Sequence, residues 1–207
     1  MPRKTQFTAE NVITAAFKLV REKGLDGLSA PSVAEKMGCS TMPIYSHFKN
    51  MQALEDEVIQ KAWTLVVEYE TRHYTGDRWI DQAMGYVLFA RDERNLFNCM
   101  LAGRNLDLKY EMQKRHWQYQ ADRLDNYEGF KDLDKDQCTR IRYARAMLSH
   151  GVAMSPNTGM NKVIIENNTI LSGFLTNVSQ ALLKGYIDLP SLPEDKQRLL
   201  DEKMEQL

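Results

Sequence analysis

The sequence of 207 residues predicts an all-α protein of about nine helices, with an N-terminal three-helix module followed by a larger helical body. Two observations predict this fold class. Apolar residues recur three and four positions apart along most of the chain, which is the spacing of an amphipathic helix. No convincing segment alternates apolar and polar residues with the two-residue period of a half-buried strand.

The composition indicates a globular protein of the cytoplasm. Hydrophobic residues make up 43% of the chain and charged residues 27%, values that are typical of a protein with one packed core or two. No apolar run is long enough to cross a bilayer, and the first dozen residues lack the apolar segment of a secretory signal. The three cysteines, Cys39, Cys99 and Cys138, are widely spaced, so we expect free thiols in a reducing compartment.

The formal charge of -1 is unevenly distributed along the chain. Residues 1–50 contain seven Lys or Arg and four Asp or Glu, so the first quarter is basic and residues 51–207 are acidic. A basic N-terminal module on an acidic body indicates that the module is the part that meets a polyanion.

Three helices are predicted within residues 1–50. The first begins near Thr8 and ends at Gly24. The second follows Ser29, whose hydroxyl can cap exposed backbone N–H groups, and ends at Gly38. The third follows Ser40 as its cap and tolerates a proline in its opening turn. Two short helices joined by a glycine-containing turn, and braced by an earlier amphipathic helix, are the pattern of a DNA-binding helix-turn-helix domain.

The third helix is predicted to have an inner and an outer face. Ile44 and Phe48 share the inner face, which leaves the opposite side free to enter a major groove. Side chains expected to contact base edges are Thr41, Met42, Pro43 and Ser46. Side chains expected to contact phosphates are Tyr45, His47 and Lys49, together with Arg3 and Lys4 on the arm before the first helix.

The run GLDGLSAPSVAEKMGCSTMPIYSHFKNMQAL resembles the signature of TetR-type repressors. It has a Gly-Leu-Ser entry, Val-Ala and then Met-Gly at the close of the second helix, and Tyr-Ser-His-Phe followed by Leu54. The resemblance covers about residues 8–60 and implies that Thr41, Met42 and Pro43 face bases. This sequence departs from the family's pattern at Met51, where a lysine is usual, and at Pro31, where some relatives carry an arginine.

The resemblance also implies a function and an assembly. It implies a ligand-responsive repressor that binds a palindromic operator in double-stranded DNA as a homodimer, with the two last long helices forming a four-helix bundle between subunits. Candidate dimer residues on the last helix are Leu171, Phe174, Leu175, Val178 and Leu182. We expect no catalytic residue, no metal and no cofactor, and no membrane partner.

Residues 51–207 are predicted to form the regulatory and dimerisation domain. A connecting helix is expected over residues 50–73, and further helices over 78–93, 94–103, 107–128, 134–154 and 161–186. A small-molecule effector is expected inside this body. Residues that would line its pocket, but that also fit an ordinary core, are Phe89, Phe97, Met100, Trp117, Met147 and His150.

Two other functions remain open from the sequence. A di-iron enzyme built on a helical bundle needs two Glu-x-x-His motifs and two further glutamates, and one such motif runs from Glu70 to His73. A DNA-binding accessory factor of the same fold would need no ligand. A metal assay tests the first alternative, and a search for a ligand that releases DNA tests the second.

Overall fold

The computed structural model describes residues 7–158 and 162–187 together with residues 196 and 198, and for residues 156–158, 186 and 187 it describes the backbone alone. The predicted all-α class is confirmed, since this part of the chain contains helices and no strand. The α-helices are α1 (Ala9–Lys23), α2 (Ala30–Met37), α3 (Met42–His47), α4 (Met51–Glu70), α5 (Arg78–Asp92), α6 (Arg94–Ala102), α7 (Leu106–Arg123), α8 (Lys135–Thr158), α9 (Lys162–Glu166) and α10 (Asn168–Ile187). Short 3-10 turns cover Leu25–Gly27 and Glu128–Phe130. None of these helices is both long and apolar enough to span a membrane.

The described residues divide into two compact units. The first unit contains the residues up to Val66 and the segment Asp92–Met112, and the second contains Val67–Arg91 and the residues from Gln113 onward. Buried apolar residues of the first unit include Val12, Ala16, Val20, Val33, Ile44, Leu54, Val58, Ile59, Leu96 and Phe97. They come from α1 to α4 and from α6, so α6 completes a core that the first four helices begin.

A buried tryptophan belongs to a hydrophobic cluster of the second unit. Trp79 is 1% exposed and clusters with Ile80, Leu124 and Ile141. The guanidinium of Arg145 lies over its ring, 3.9 Å from the centroid, and donates to the Trp79 carbonyl oxygen and, at 3.1 Å, to Gln82 Oε1. Burial lowers the pKa of Arg145 to about 10, so this arginine stays charged at neutral pH and uses its charge to join α5 to α8.

The last predicted helix is two helices. The break lies at Asn167, whose side-chain oxygen accepts from the backbone N–H groups of Thr169 at 3.0 Å and Ile170 at 3.1 Å. Asn167 is therefore the N-cap of α10, because a short polar side chain can satisfy N–H groups that have no partner in the first turn. The apolar periodicity continues across this break, which is why it predicted one helix.

Two of the residues predicted to face a partner subunit lie inside their own subunit. Leu171 and Leu175 are both 0% exposed, so they belong to the core of the second unit. Phe174, Val178 and Leu182 are half-buried. The sequence alone could not make this distinction, because one broad apolar stripe on α10 serves both the core and the surface.

Candidate DNA-binding interface

Both ends of α2, and with them the turn to α3, are fixed by local hydrogen bonds and backbone conformation. Ser29 Oγ accepts from the Ser32 N–H at 3.3 Å and caps α2 as predicted. Gly38 ends α2 in the left-handed conformation, with φ of 66°, which a glycine adopts without the steric cost of a side chain. After three intervening residues α3 begins at Met42, so the connection between the two helices is short.

The short helix α3 is anchored by one face and leaves the other free. Ile44 is 1% exposed and Phe48 is 8% exposed, and both belong to the core that contains Val33. On the opposite side Met42 is 76% exposed and Tyr45 is 55% exposed. Large apolar surface is costly to leave in water, so an outer face of methionine and tyrosine indicates a contact surface.

The start of α3 differs from the prediction by one residue. Thr41, not Ser40, is the residue before the first helical position, and its side chain makes no capping hydrogen bond. Pro43 has no backbone N–H group, so the first turn of α3 contains one donor fewer for a cap to satisfy. The Thr41 hydroxyl is consequently left available to a ligand.

Two outer-face residues already use one hydrogen-bonding atom within the protein. Ser46 Oγ donates to the Pro43 carbonyl oxygen at 2.8 Å. His47 Nε2 lies 2.8 Å from the Phe7 carbonyl oxygen, and because a carbonyl oxygen only accepts, this ring nitrogen carries the proton. His47 therefore ties α3 to the segment before α1, a link across 40 residues that the sequence did not reveal.

The remaining predicted contacts are placed as follows. Lys49 is exposed, and within the described residues its ammonium group has no carboxylate partner. Thr41 and Pro43 are half-buried. Arg3 and Lys4 lie outside the described residues.

Ion pairs hold α1 against its neighbours within the first unit. Lys36 Nζ lies 2.7 Å from Glu22 Oε2, and Lys61 Nζ lies 2.7 Å from Glu10 Oε1. These hydrogen bonds to lysine lower the pKa of each glutamate. The guanidinium of Arg21 likewise pairs with the buried carboxylate of Glu93, just before α6. These cations are neutralised inside the unit, in contrast to Lys49.

The six residues predicted to line an effector pocket do not lie in one unit. Phe97 and Met100 are in the first unit, where both are buried. The other four are in the second unit: Phe89 is fully buried, Met147 is 51% exposed, and Trp117 and His150 are half-buried.

The Glu-x-x-His motif does not form a metal site in this geometry. The Glu70 carboxylate is fully buried and lies 2.9 Å from both His116 Nε2 and Gln120 Nε2, whereas the side chain of His73 is 84% exposed. No group of three or more potential metal ligands occurs among the described residues. Glu70 instead belongs to a polar cluster of the second unit, which also contains Tyr86, hydrogen-bonded to His150 Nδ1 at 3.0 Å.

Residues 12–58 match the family model described as bacterial regulatory proteins, tetR family. The chain is 37% identical over 76 residues to the tetracycline repressor protein class D of Escherichia coli, a match that covers 34% of this chain and 32% of the repressor. The chain therefore matches about a third of the length of this curated relative. The segment that matches the family model, residues 12–58, contains α2 and α3 with the face described above.

Solved structures resemble the chain over most of its length. A protein of unknown function from Rhodococcus sp. RHA1 is 18% identical with a TM-score of 0.65, and the match covers 88% of this chain and 98% of that one. A TetR variant from Acinetobacter baumannii AYE, in complex with minocycline, is 15% identical with a TM-score of 0.54 and corresponding shares of 91% and 98%. These likenesses concern the fold.

Proposed function

We propose that the chain is a transcription regulator of the tetR family of bacterial regulatory proteins, whose model residues 12–58 match, and that it binds a palindromic operator through α3. In this proposal α3 enters the major groove and residues 1–50 act as the DNA-binding domain. The remainder, residues 51–207, acts as the regulatory and dimerisation domain. Such a protein works in the cytoplasm, where bacterial DNA is found.

The observation that carries this proposal is the exposed outer face of α3. Met42 and the Thr41 hydroxyl are suited to base edges, since a thioether can contact a thymine methyl and a hydroxyl can donate or accept. Tyr45 and Lys49 are suited to phosphate oxygens. Ser46 and His47 use one atom each inside the protein, so we assign them to positioning the helix and to secondary contacts.

Regulation by a small molecule is the second part of the proposal. A relative is named as a tetracycline repressor, and a structural neighbour was solved with minocycline, which supports an effector for this chain without identifying it. The effector would bind best to the conformation whose recognition helices are wrongly spaced for the operator. A differential affinity of a few kcal/mol for that conformation shifts the population away from the operator-binding one.

Operator selection from random DNA with the full-length protein tests the DNA-binding function. With the selected operator, Lys49→Ala should weaken binding to every sequence and reduce the slope of log affinity against log salt by about one unit, since one phosphate contact is lost. Tyr45→Ala should weaken binding by about three- to tenfold. Lys114→Ala, a lysine exchange on the surface of α7, is the matched control and should leave the slope unchanged. If Tyr45→Ala and Lys49→Ala both keep wild-type affinity, the proposed face is wrong.

Contacts of α3 with bases can be tested separately from its contacts with phosphates. Met42→Ala removes an apolar contact but no charge, so we expect the selected sequence to change while non-specific affinity stays near the wild-type value. Repeating the selection with the variant measures this. An unchanged consensus would show that Met42 reads no base.

A further inference from the structure

The second unit contains a cleft at the junction of α7 and α8. Its volume is about 490 Å³, and the C-terminal end of α7, the Glu128–Phe130 turn and the N-terminal end of α8 surround it. A space of this size can hold a ligand of a dozen or more heavy atoms. None of the six residues that the sequence suggested for an effector pocket lines it.

A half-buried arginine faces this cleft without a carboxylate partner. Arg142 lines the cleft, and within the described residues no acidic oxygen lies within 4 Å of its guanidinium. One terminal nitrogen donates to the Trp117 carbonyl oxygen at 2.8 Å, and the group lies 4.4 Å from the Trp117 ring centroid. Its Nε is buried and makes no hydrogen bond. A cation that is removed from water is usually paired, so this arginine is suited to an anion from outside the chain.

The other lining side chains give the cleft an apolar wall and a mainly basic rim. Leu124, Tyr127 and Phe130 provide the apolar wall. Lys131 and Lys135 lie at the rim with the acidic residues Asp125 and Glu128. Glu128 is paired with Lys131 at 2.8 Å, whereas Lys135 has no ion-pair partner among the described residues. Within the described part of the chain, the rim therefore contributes Lys135, a second cation without an ion-pair partner beside Arg142, and Asp125, one carboxylate without such a partner.

The apolar wall is held in place by the core. Phe130 contacts the buried Trp79 ring edge to face, with centroids 5.2 Å apart, and Tyr127 contacts Phe130 in the same manner at 5.1 Å. Tyr127 Oη donates to Asp77 Oδ2 at 2.9 Å. A ligand would thus meet a wall that is already ordered, which reduces the entropy cost of binding.

We propose that this cleft binds a small amphipathic monoanion, an aryl or alkyl carboxylate, whose carboxylate pairs with Arg142 and whose apolar part lies against Leu124, Tyr127 and Phe130. Lys135 adds a second, solvent-exposed attraction at the rim. This site does not depend on the DNA-binding proposal, because its contacts lie within the second unit alone.

Calorimetric titration of the full-length protein with phenylbutyrate tests the site. A carboxylate of this size should bind saturably with a Kd on the order of 1 mM or tighter. The neutral analogue phenylbutyramide should bind at least about tenfold more weakly, since it cannot form the charge-assisted pair. Equal binding of acid and amide, or no saturable binding of the acid, would overturn the proposal.

A thiol measurement locates the bound ligand. Cys138 lines the cleft, whereas Cys39 and Cys99 lie in the first unit. Saturating phenylbutyrate should slow the alkylation of Cys138 about fivefold or more at mildly alkaline pH and leave Cys39 unaffected, as mass spectrometry can record. Burial raises the pKa of Cys99 to about 12, so this thiol should contribute little. Unprotected Cys138 with measurable binding would place the ligand elsewhere and contradict the proposal.

Two variants separate loss of the ligand from loss of the fold. Arg142→Gln should abolish discrimination between phenylbutyrate and phenylbutyramide, but it also removes the contacts with Trp117. Lys135→Gln changes an exposed side chain and should weaken phenylbutyrate about two- to fivefold with an unchanged melting temperature. Lys114→Gln, outside the cleft, should leave the affinity unchanged. If Lys135→Gln behaves as Lys114→Gln does and Arg142→Gln still prefers the acid, the cleft is not an anion site.

Discussion

At the scale of single residues, internal hydrogen bonds decide which side chains of α3 are free to read DNA. Ser46 and His47 look equivalent to their neighbours on a helical wheel, yet each donates a hydrogen bond to a carbonyl oxygen of the protein. The His47 ring has its Nδ1 left for an outside partner. Met42 and Thr41 have no such internal bond in α3, so we expect sequence preference to depend on them more than on the two bonded residues.

A second histidine gives a prediction about pH. Burial lowers the pKa of His150 below its ordinary value of 6.5. Between the folded and unfolded pKa values the unfolded chain binds more protons, so the free energy of unfolding should fall as pH decreases below about 6.5. His150→Gln keeps a partner for the Tyr86 hydroxyl but cannot titrate, and it should show a shallower decrease.

Urea denaturation of both proteins between about pH 7.5 and 5.5 measures this difference. The NMR titration of the His150 ring gives an independent reading, with an expected midpoint below 6.5. If the variant loses stability as steeply as the wild type, another group controls the acid response.

At the scale of elements, the angle between α2 and α3 depends on one backbone conformation. Gly38 has φ of 66°, and apart from its own local backbone and chain neighbours no described atom lies within 4 Å of the position that a Cβ would take. Gly38→Ala therefore adds backbone strain without a clash and should reduce the free energy of unfolding by about 1 kcal/mol. Gly38→Asn should cost less, because asparagine tolerates this conformation.

Urea denaturation at one fixed protein concentration measures both changes. Gly185→Ala is the matched control, since this glycine lies inside α10 with open space around it and no positive φ. That exchange should stabilise the protein by about 0.5–1 kcal/mol, as alanine is the better helix former. An unchanged stability in Gly38→Ala would mean that α2 can end in another way.

The elements that sequence reasoning located well are those with local end signals. Thr8, Gly24 and Ser29 bound their helices as predicted, because a cap or a left-handed glycine acts within four residues of chain. The all-α class followed from periodicity, which is also a local property. The inner and outer faces of α3 were predictable for the same reason.

Other features depend on contacts that periodicity does not encode. The His47 to Phe7 bond joins residues 40 positions apart, and the Glu70 to His116 bond joins residues 46 positions apart. Glu70 pairs with His116 on α7, a contact that the local Glu-x-x-His spacing does not indicate. The apolar stripe of α10 predicted that Leu171 is buried without revealing whether its own subunit or a partner buries it.

At the scale of the whole molecule, the second unit leaves an apolar surface on α8 and α10. Tyr143 and Met147 are 38% and 51% exposed on α8, and Gly151 continues the same face at a spacing of four residues. On α10, Ile170 is 43% exposed beside the exposed Gly173. The two helices contact each other within the unit, so these side chains are available to one shared partner.

We predict that this surface is the contact between two copies of the chain. A two-fold dimer suits the proposed function, because a palindromic operator presents two half-sites about one DNA turn apart. The small glycines allow close approach of helices, and the apolar side chains provide area that water would otherwise cover. A stable interface needs about 800 Å² from each subunit, which two long helices can supply.

Met147→Arg tests the dimer, because it places a charge in the centre of the proposed contact without disturbing a buried residue. Sedimentation velocity at micromolar concentration should give a dimer for the wild type and a monomer for the variant, and the variant should lose operator affinity as well. Leu106→Arg is the matched control, since Leu106 is 72% exposed at the start of α7 and belongs to the first unit. A monomeric wild type would refute the dimer, and a dimeric Met147→Arg would place the contact on a different face.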